Sequence, residues 1–83
     1  MNMTEYNHLL RKARDAAKGG RDAWAVQSTG EHVAVALVLN RADWLAGMGY
    51  TLADAIKRTV AAWLELVPRV AQQLQDEQHD SEG

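Results

Sequence analysis

The stretch Thr51-Leu-Ala-Asp-Ala-Ile-Lys-Arg-Thr-Val-Ala-Ala-Trp-Leu-Glu-Leu-Val-Pro-Arg-Val-Ala-Gln-Gln-Leu74 spaces its apolar residues in steps of three and four. Leu52, Ile56, Val60, Trp63, Val67, Val70 and Leu74 therefore line one face of an α-helix over several turns. That face is expected to be core, with Ile56, Val60 and Trp63 among the least exposed side chains. Thr51 is placed to accept from first-turn N–H groups, Asp54 to supply a capping carboxylate, and Tyr50 to pack on Ala55. Pro68 interrupts the pattern, because its ring removes the hydrogen bond to the Leu64 carbonyl and clashes with it. The stripe keeps its phase across Pro68, so the reading is a kinked continuous helix or two helices stacked nearly end to end.

Working back along the chain, Gly47-Met48-Gly49 makes a tight connection into Thr51. Before it lies the segment Arg21–Leu39, which has two readings. In one, Ser28 and Glu31 form a capping box and a helix runs from about Glu31 to Ala46. In the other, residues 22–39 form a β-hairpin turning at Ser28-Thr29-Gly30, with Val33, Val35, Leu37 and Leu39 alternating with small residues. The apolar run Val33–Leu39 suits a buried strand or a buried central helix, and periodicity does not separate them. Helix is adopted, because the run flows without a breaker into Arg41-Ala-Asp-Trp-Leu-Ala. Further back, Thr4 to Lys18 reads as a first helix with a narrow stripe of Tyr6, Leu9, Leu10, Ala13, Ala16 and Ala17. Gly19-Gly20 follows as a stop or hinge.

The expected fold is thus a small all-α domain of three to four helices with a Pro-kinked C-terminal helix. The alternative is α+β with the hairpin. Residues 1–76 form one helical domain. Residues 77–83 carry carboxylates and no apolar side chain, and they are expected to form a disordered acidic tail.

Composition narrows the function classes. The chain has 83 residues, no cysteine and a net charge of −2. A domain this small buries only about 60–65% of the surface its unfolded chain exposes, so it gains from a partner or a second copy. Disulfides, thiolate zinc sites and cysteine nucleophiles are excluded. No signal-type segment and no run near the roughly 20 apolar residues of a spanning helix occurs, so a soluble cytoplasmic protein without membrane contact is expected. Residues 1–27 carry five Lys/Arg against three Asp/Glu, and residues 28–83 four against eight. Neither half has the basic footprint of a nucleic-acid binder.

Chemistry-bearing residues are scattered. His8, His32 and His79 lack metal-ligand spacing, and Ser28 and Thr51 are explained as helix caps. Glu31, Asp43, Asp54 and Glu65 form no evident carboxylate pair. No enzyme, metal or cofactor is expected. Ala42–Lys57 has the helix–glycine turn–helix form of a DNA reader, but its second helix mixes Lys57 and Arg58 with Asp54, so DNA binding is the second reading.

Trp24, Trp44 and Trp63 give a chain without Phe a large aromatic surface. They serve as core or, with Tyr50, as partly exposed interface anchors. Leu64 and Leu66 widen the apolar perimeter of the last helix beyond the central stripe. The candidate interaction residues are therefore Trp44, Tyr50, Leu64, Leu66 and Val70, and pairing of two copies along Thr51–Leu74 makes a homodimer the expected assembly.

Ser28-Thr-Gly-Glu-His-Val-Ala-Val-Ala-Leu-Val-Leu-Asn-Arg-Ala-Asp-Trp-Leu, followed by Met48-Gly-Tyr-Thr-Leu-Ala-Asp-Ala-Ile, resembles small accessory proteins of temperate phages of Gram-negative bacteria. The resemblance covers about half of the chain and rests on its cadence. It implies a protein that binds and blocks or modulates a host protein, and it assigns no functional residue.

Overall fold

A computed structural model describes residues 3–82, the side chains of residues 29 and 78–82 excepted. Five helices follow one another: α1 (Met3–Ala25), α2 (Thr29–Val38), α3 (Ala42–Gly47), α4 (Leu52–Arg58) and α5 (Ala61–Glu82). No strand occurs among the described residues, and the domain is all-α. The hairpin over residues 22–39 is not formed.

The reason is legible at the start of α2. Ser28 Oγ accepts from the Glu31 N–H while the Glu31 carboxylate accepts from the Ser28 N–H, so the capping box closes and fixes a helix start. The helix is shorter than expected, because Asn40 takes a left-handed conformation (φ 56°). Asn40 N–H then bonds the Leu37 carbonyl at 3.2 Å and Arg41 N–H bonds that of Ala36 at 2.9 Å. This double closure ends α2 and splits the expected Glu31–Ala46 helix into α2 and α3. The same closure ends α3, with Gly49 N–H on Ala46 and Tyr50 N–H on Leu45.

α2 is the centre of the molecule. Val33, Ala34, Val35 and Ala36 are consecutive and all buried, so they face every direction round the helix. α1, α3, α4 and α5 each pack on it. α1 supplies Leu9, Leu10, Ala13 and Ala16, and α5 supplies Val70 and Leu74. The course of α1 breaks at Gly20, whose φ of 71° and ψ of −159° are open essentially to glycine alone. Beyond the break, Trp24 is buried and donates its Nε1–H to the His32 carbonyl at 2.8 Å. Its ring lies 5.0 Å from that of Trp44 and 4.6 Å from that of His32.

The stripe of Thr51–Leu74 is resolved differently from the expectation. The helix breaks at Thr59, whose ψ is 130°, and Pro68 sits at an exposed position inside α5. The Thr59 hydroxyl and N–H both bond the Ala55 carbonyl, at 2.7 and 3.0 Å, which closes the end of α4. A seven-residue helix and a 22-residue helix thus replace one continuous one. The change of direction corrects the expected core: Ile56 is 49% and Val60 62% exposed, and Trp63 is half-buried. The face of α4 that meets α2 is instead Ala55 and Thr59. Of the span 77–83 read as a tail, Glu77 is tied to α1, and the backbone is helical through Glu82. The side chains of 78–82 and residue 83 lie outside the described residues.

Arg14 donates from Nε to Glu77 Oε1 at 3.0 Å and from Nη2 to Oε2, joining α1 to the far end of α5. These hydrogen bonds, with one from Gln73, hold the Glu77 carboxyl down to about 2, against an ordinary 4.5. A folded-state value below the unfolded one means that the stabilisation is complete above about pH 4.5 and is lost as pH falls towards 2. Melting temperatures of the parent and of Glu77→Gln should therefore differ at neutral pH and converge towards pH 2. The relocated core gives a second test. Leu9→Ala should cost about 2–5 kcal/mol in urea denaturation, whereas Ile56→Ala should cost about 1 kcal/mol or less.

Candidate interaction surface

α4 is positioned by caps at both ends. Thr51 Oγ1 accepts from the Asp54 N–H and Asp54 Oδ2 accepts from the Thr51 N–H, each at 3.0 Å. Hydrogen bonding by Thr51, its backbone first and then its side chain, holds the Asp54 carboxyl below its ordinary value. With Ala55 and Thr59 turned to α2, a rotation of about 100° per residue carries Leu52 and Ile56 together onto one outer flank. Leu52 is 49% exposed, as is Ile56. Ala53 and Lys57 continue the outer surface, and Lys57 has no hydrogen-bond or ion-pair partner among the described residues. Arg58, on the other flank, lies over the Tyr50 ring at 4.8 Å from its centroid.

At the α4–α5 bend, Val60 borders a cleft of about 300 Å³ that it shares with Arg58, Trp63, His8, Ser28, Gly30 and Glu31. Its polar groups are engaged with one another. His8 Nε2 is hydrogen-bonded to Glu31 Oε2 at 2.7 Å, and the Arg11 guanidinium lies 3.4 Å from His8 Nδ1. The His8 ring also lies 5.7 Å from that of Trp63. Glu31 is thus both the cap of α2 and the anchor of α1. Burial pushes its carboxyl up, but hydrogen bonds from His8 and Ser28 and the charge of Lys12 outweigh burial and leave it below its ordinary value. This arrangement ties α1 to the start of α2.

The residues singled out from the sequence are dispersed. Trp44 is 6% exposed, and Val70 is fully enclosed, so the contacts expected of these two are made inside the chain. Tyr50, Leu64 and Leu66 are half-buried; Tyr50 and Leu66 pack against the core. Tyr50 alone adjoins the α4 surface, beneath Arg58. Sequence reading missed Leu52, Ile56 and Val60 as surface residues because it assigned them to the core. The signal that could have found them is the brevity of a helix running only from Thr51 to the β-branched pair Thr59-Val60. Among the described residues, no group of three or more His, Asp or Glu is placed to hold a metal ion. No helix among them is long and apolar enough to cross a membrane. No protein-family model, curated protein or solved structure matches the chain.

The His8–Glu31 contact should show as coupling between the two residues. A double-mutant cycle of His8→Ala and Glu31→Ala, read by urea denaturation at neutral pH, should return about 1 kcal/mol. Ser28→Ala alone should cost about 1 kcal/mol through loss of the cap.

Proposed function

We propose that the chain is a small protein–protein interaction module whose docking surface is the outer flank of α4. One observation carries the reading: Leu52 and Ile56, one turn apart on α4, are each 49% exposed, and Val60 at the bend beyond it is 62% exposed. A domain with few large side chains loses hydrophobic stabilisation by leaving them out, at roughly 25 cal/mol per Å² of apolar surface. Exposed aliphatic side chains grouped on one helix are a common mark of a contact surface. The occupant that fits is an amphipathic segment of another protein, with an apolar face against Leu52 and Ile56 and a carboxylate opposite Lys57, which lacks a partner within the described chain.

The resemblance to phage accessory proteins supports a host protein as that partner. A second copy fits this flank less well. A twofold axis beside Ile56 would set the two Ile56 side chains together, but it would also bring the two Lys57 side chains to the same side. Self-pairing through Leu64, Leu66 and Val70 would have to open the packing of α5, since Val70 has no accessible surface. DNA reading by α3 and α4 is the weaker proposal, because Leu52 and Ile56 occupy outward positions where a reader helix needs polar side chains.

Replacing Leu52 and Ile56 together by Asp should leave the circular dichroism spectrum unchanged and abolish stoichiometric retention of a partner from bacterial lysate. Equal retention by the parent and the double variant would reject α4 as the docking surface. Light scattering from low micromolar concentration upward separates the occupants. A mass that doubles in the parent and stays single in the variant would make the occupant a second copy.

A further inference from the structure

A second concave site lies where the break in α1 meets the end of α2 and the start of α3. The cleft, about 330 Å³, is lined by Ala16, Ala17, Gly20, Arg21, Leu39, Arg41 and Trp44. Its volume falls in the range of small-molecule sites, at the lower end. The floor is made of small side chains and an aliphatic one: Ala16, Ala17, Gly20 and Leu39. Two guanidinium groups border it, and they are placed differently. Arg41 is stacked over the Trp44 ring at 4.8 Å and donates to Asp43 Oδ2 at 3.0 Å, which leaves the rest of its planar fork of donors unspent. Arg21 has no hydrogen-bond or ion-pair partner among the described residues. Its head is laid against the backbone of Gly47, where a Cβ would come within 2.6 Å of Nη2.

A pair of arginines beside an apolar floor is a chemical specification. The guanidinium fork matches the paired oxygens of a carboxylate or phosphate, and the small and aliphatic side chains beside it suit an apolar body. The cleft beside α4 differs in holding one arginine, Arg58, beside a carboxylate, Glu31, that pairs with His8.

We propose that the cleft between the Gly20 break and α3 binds a small organic anion, a carboxylate or phosphate carried on a flat apolar body. Arg21 and Arg41 hold the anionic group, and Ala16, Ala17 and Leu39 receive the body. This site is separate from the docking flank of α4, and its ligand does not depend on the protein partner.

Benzoate, phenyl phosphate and inorganic phosphate are suitable probes, titrated against the full chain and followed by tryptophan fluorescence and by amide chemical shifts. Trp44 lines the cleft and stacks on Trp24, so occupancy should change the emission. The two aromatic anions should bind saturably and more tightly than inorganic phosphate, with shifts centred on residues 16–21 and 39–44. Neutral benzyl alcohol should not bind. Arg21→Gln and Arg41→Gln, both at exposed positions, should each weaken binding about tenfold or more. Lys18→Gln, which removes the same charge outside the cleft, should change it by no more than about twofold. Shifts spread over all basic residues, equal affinity in the arginine variants, or no saturation in the millimolar range would each overturn the site.

Discussion

A helix buried on every side makes a demand that the rest of this chain answers. Val33 to Ala36 leave α2 no wet face, so each direction round it must be covered by another element. All of its interior backbone groups are satisfied along its own axis, which is why a helix can take this place and an isolated strand cannot. The alternation of valine with alanine lets neighbours approach closely, and α1 meets it with Leu9, Ala13 and Ala16. α1 is broken and α3 and α4 are short, which lets them surround a ten-residue helix, while α5 stays one helix of 22 residues. Gly20 bends α1, Asn40 and Gly49 turn the chain into and out of α3, and Thr59 turns it out of α4.

Much of this was legible in the sequence, and the parts that were not have a common cause. Local chemistry spoke clearly. Ser28 with Glu31, Thr51 with Asp54, the Gly19-Gly20 hinge and the Gly47–Gly49 turn all act as their side chains dictate. Periodicity was the less faithful guide. Leu52, Ile56 and Val60 keep a helical phase with Trp63 and Val70, and this phase suggested one face buried throughout. Phase says which side chains share a side of a helix; it does not say where the helix points. A single extended residue, Thr59, re-aims everything after it, and no Gly or Pro announces it. α5 runs on past Pro68, as one of the two readings of that proline expects. Asn40 was missed for a related reason, since it is the least emphatic of the residues that accept a left-handed conformation.

The candidate sites follow the same division. Trp44 and Val70 were attractive as anchors because they are large and apolar, yet those qualities also make them core, and the central helix claims them. The surface that remains is made of side chains the sequence had assigned to the interior. The two-arginine cleft was invisible in linear form, because Arg21 and Arg41 are brought together only when α1 breaks and α3 turns back. Nothing in the spacing of 21 and 41 would suggest that they face one hollow.

The tie between Arg14 and Glu77 spans 63 positions of the chain, whereas α1 and α2 are joined by a short turn. On loop-closure grounds the nearer pairing is entropically cheaper, so α1 and α2 can assemble while α5 is still absent. During synthesis from the N-terminus, the valines of α2 then wait with one side uncovered until the last quarter of the chain arrives. The C-terminal helix therefore serves as the latch of the domain. A ribosome that stalls before residue 70 leaves a nascent chain with an open core, which is a substrate for chaperones and proteases.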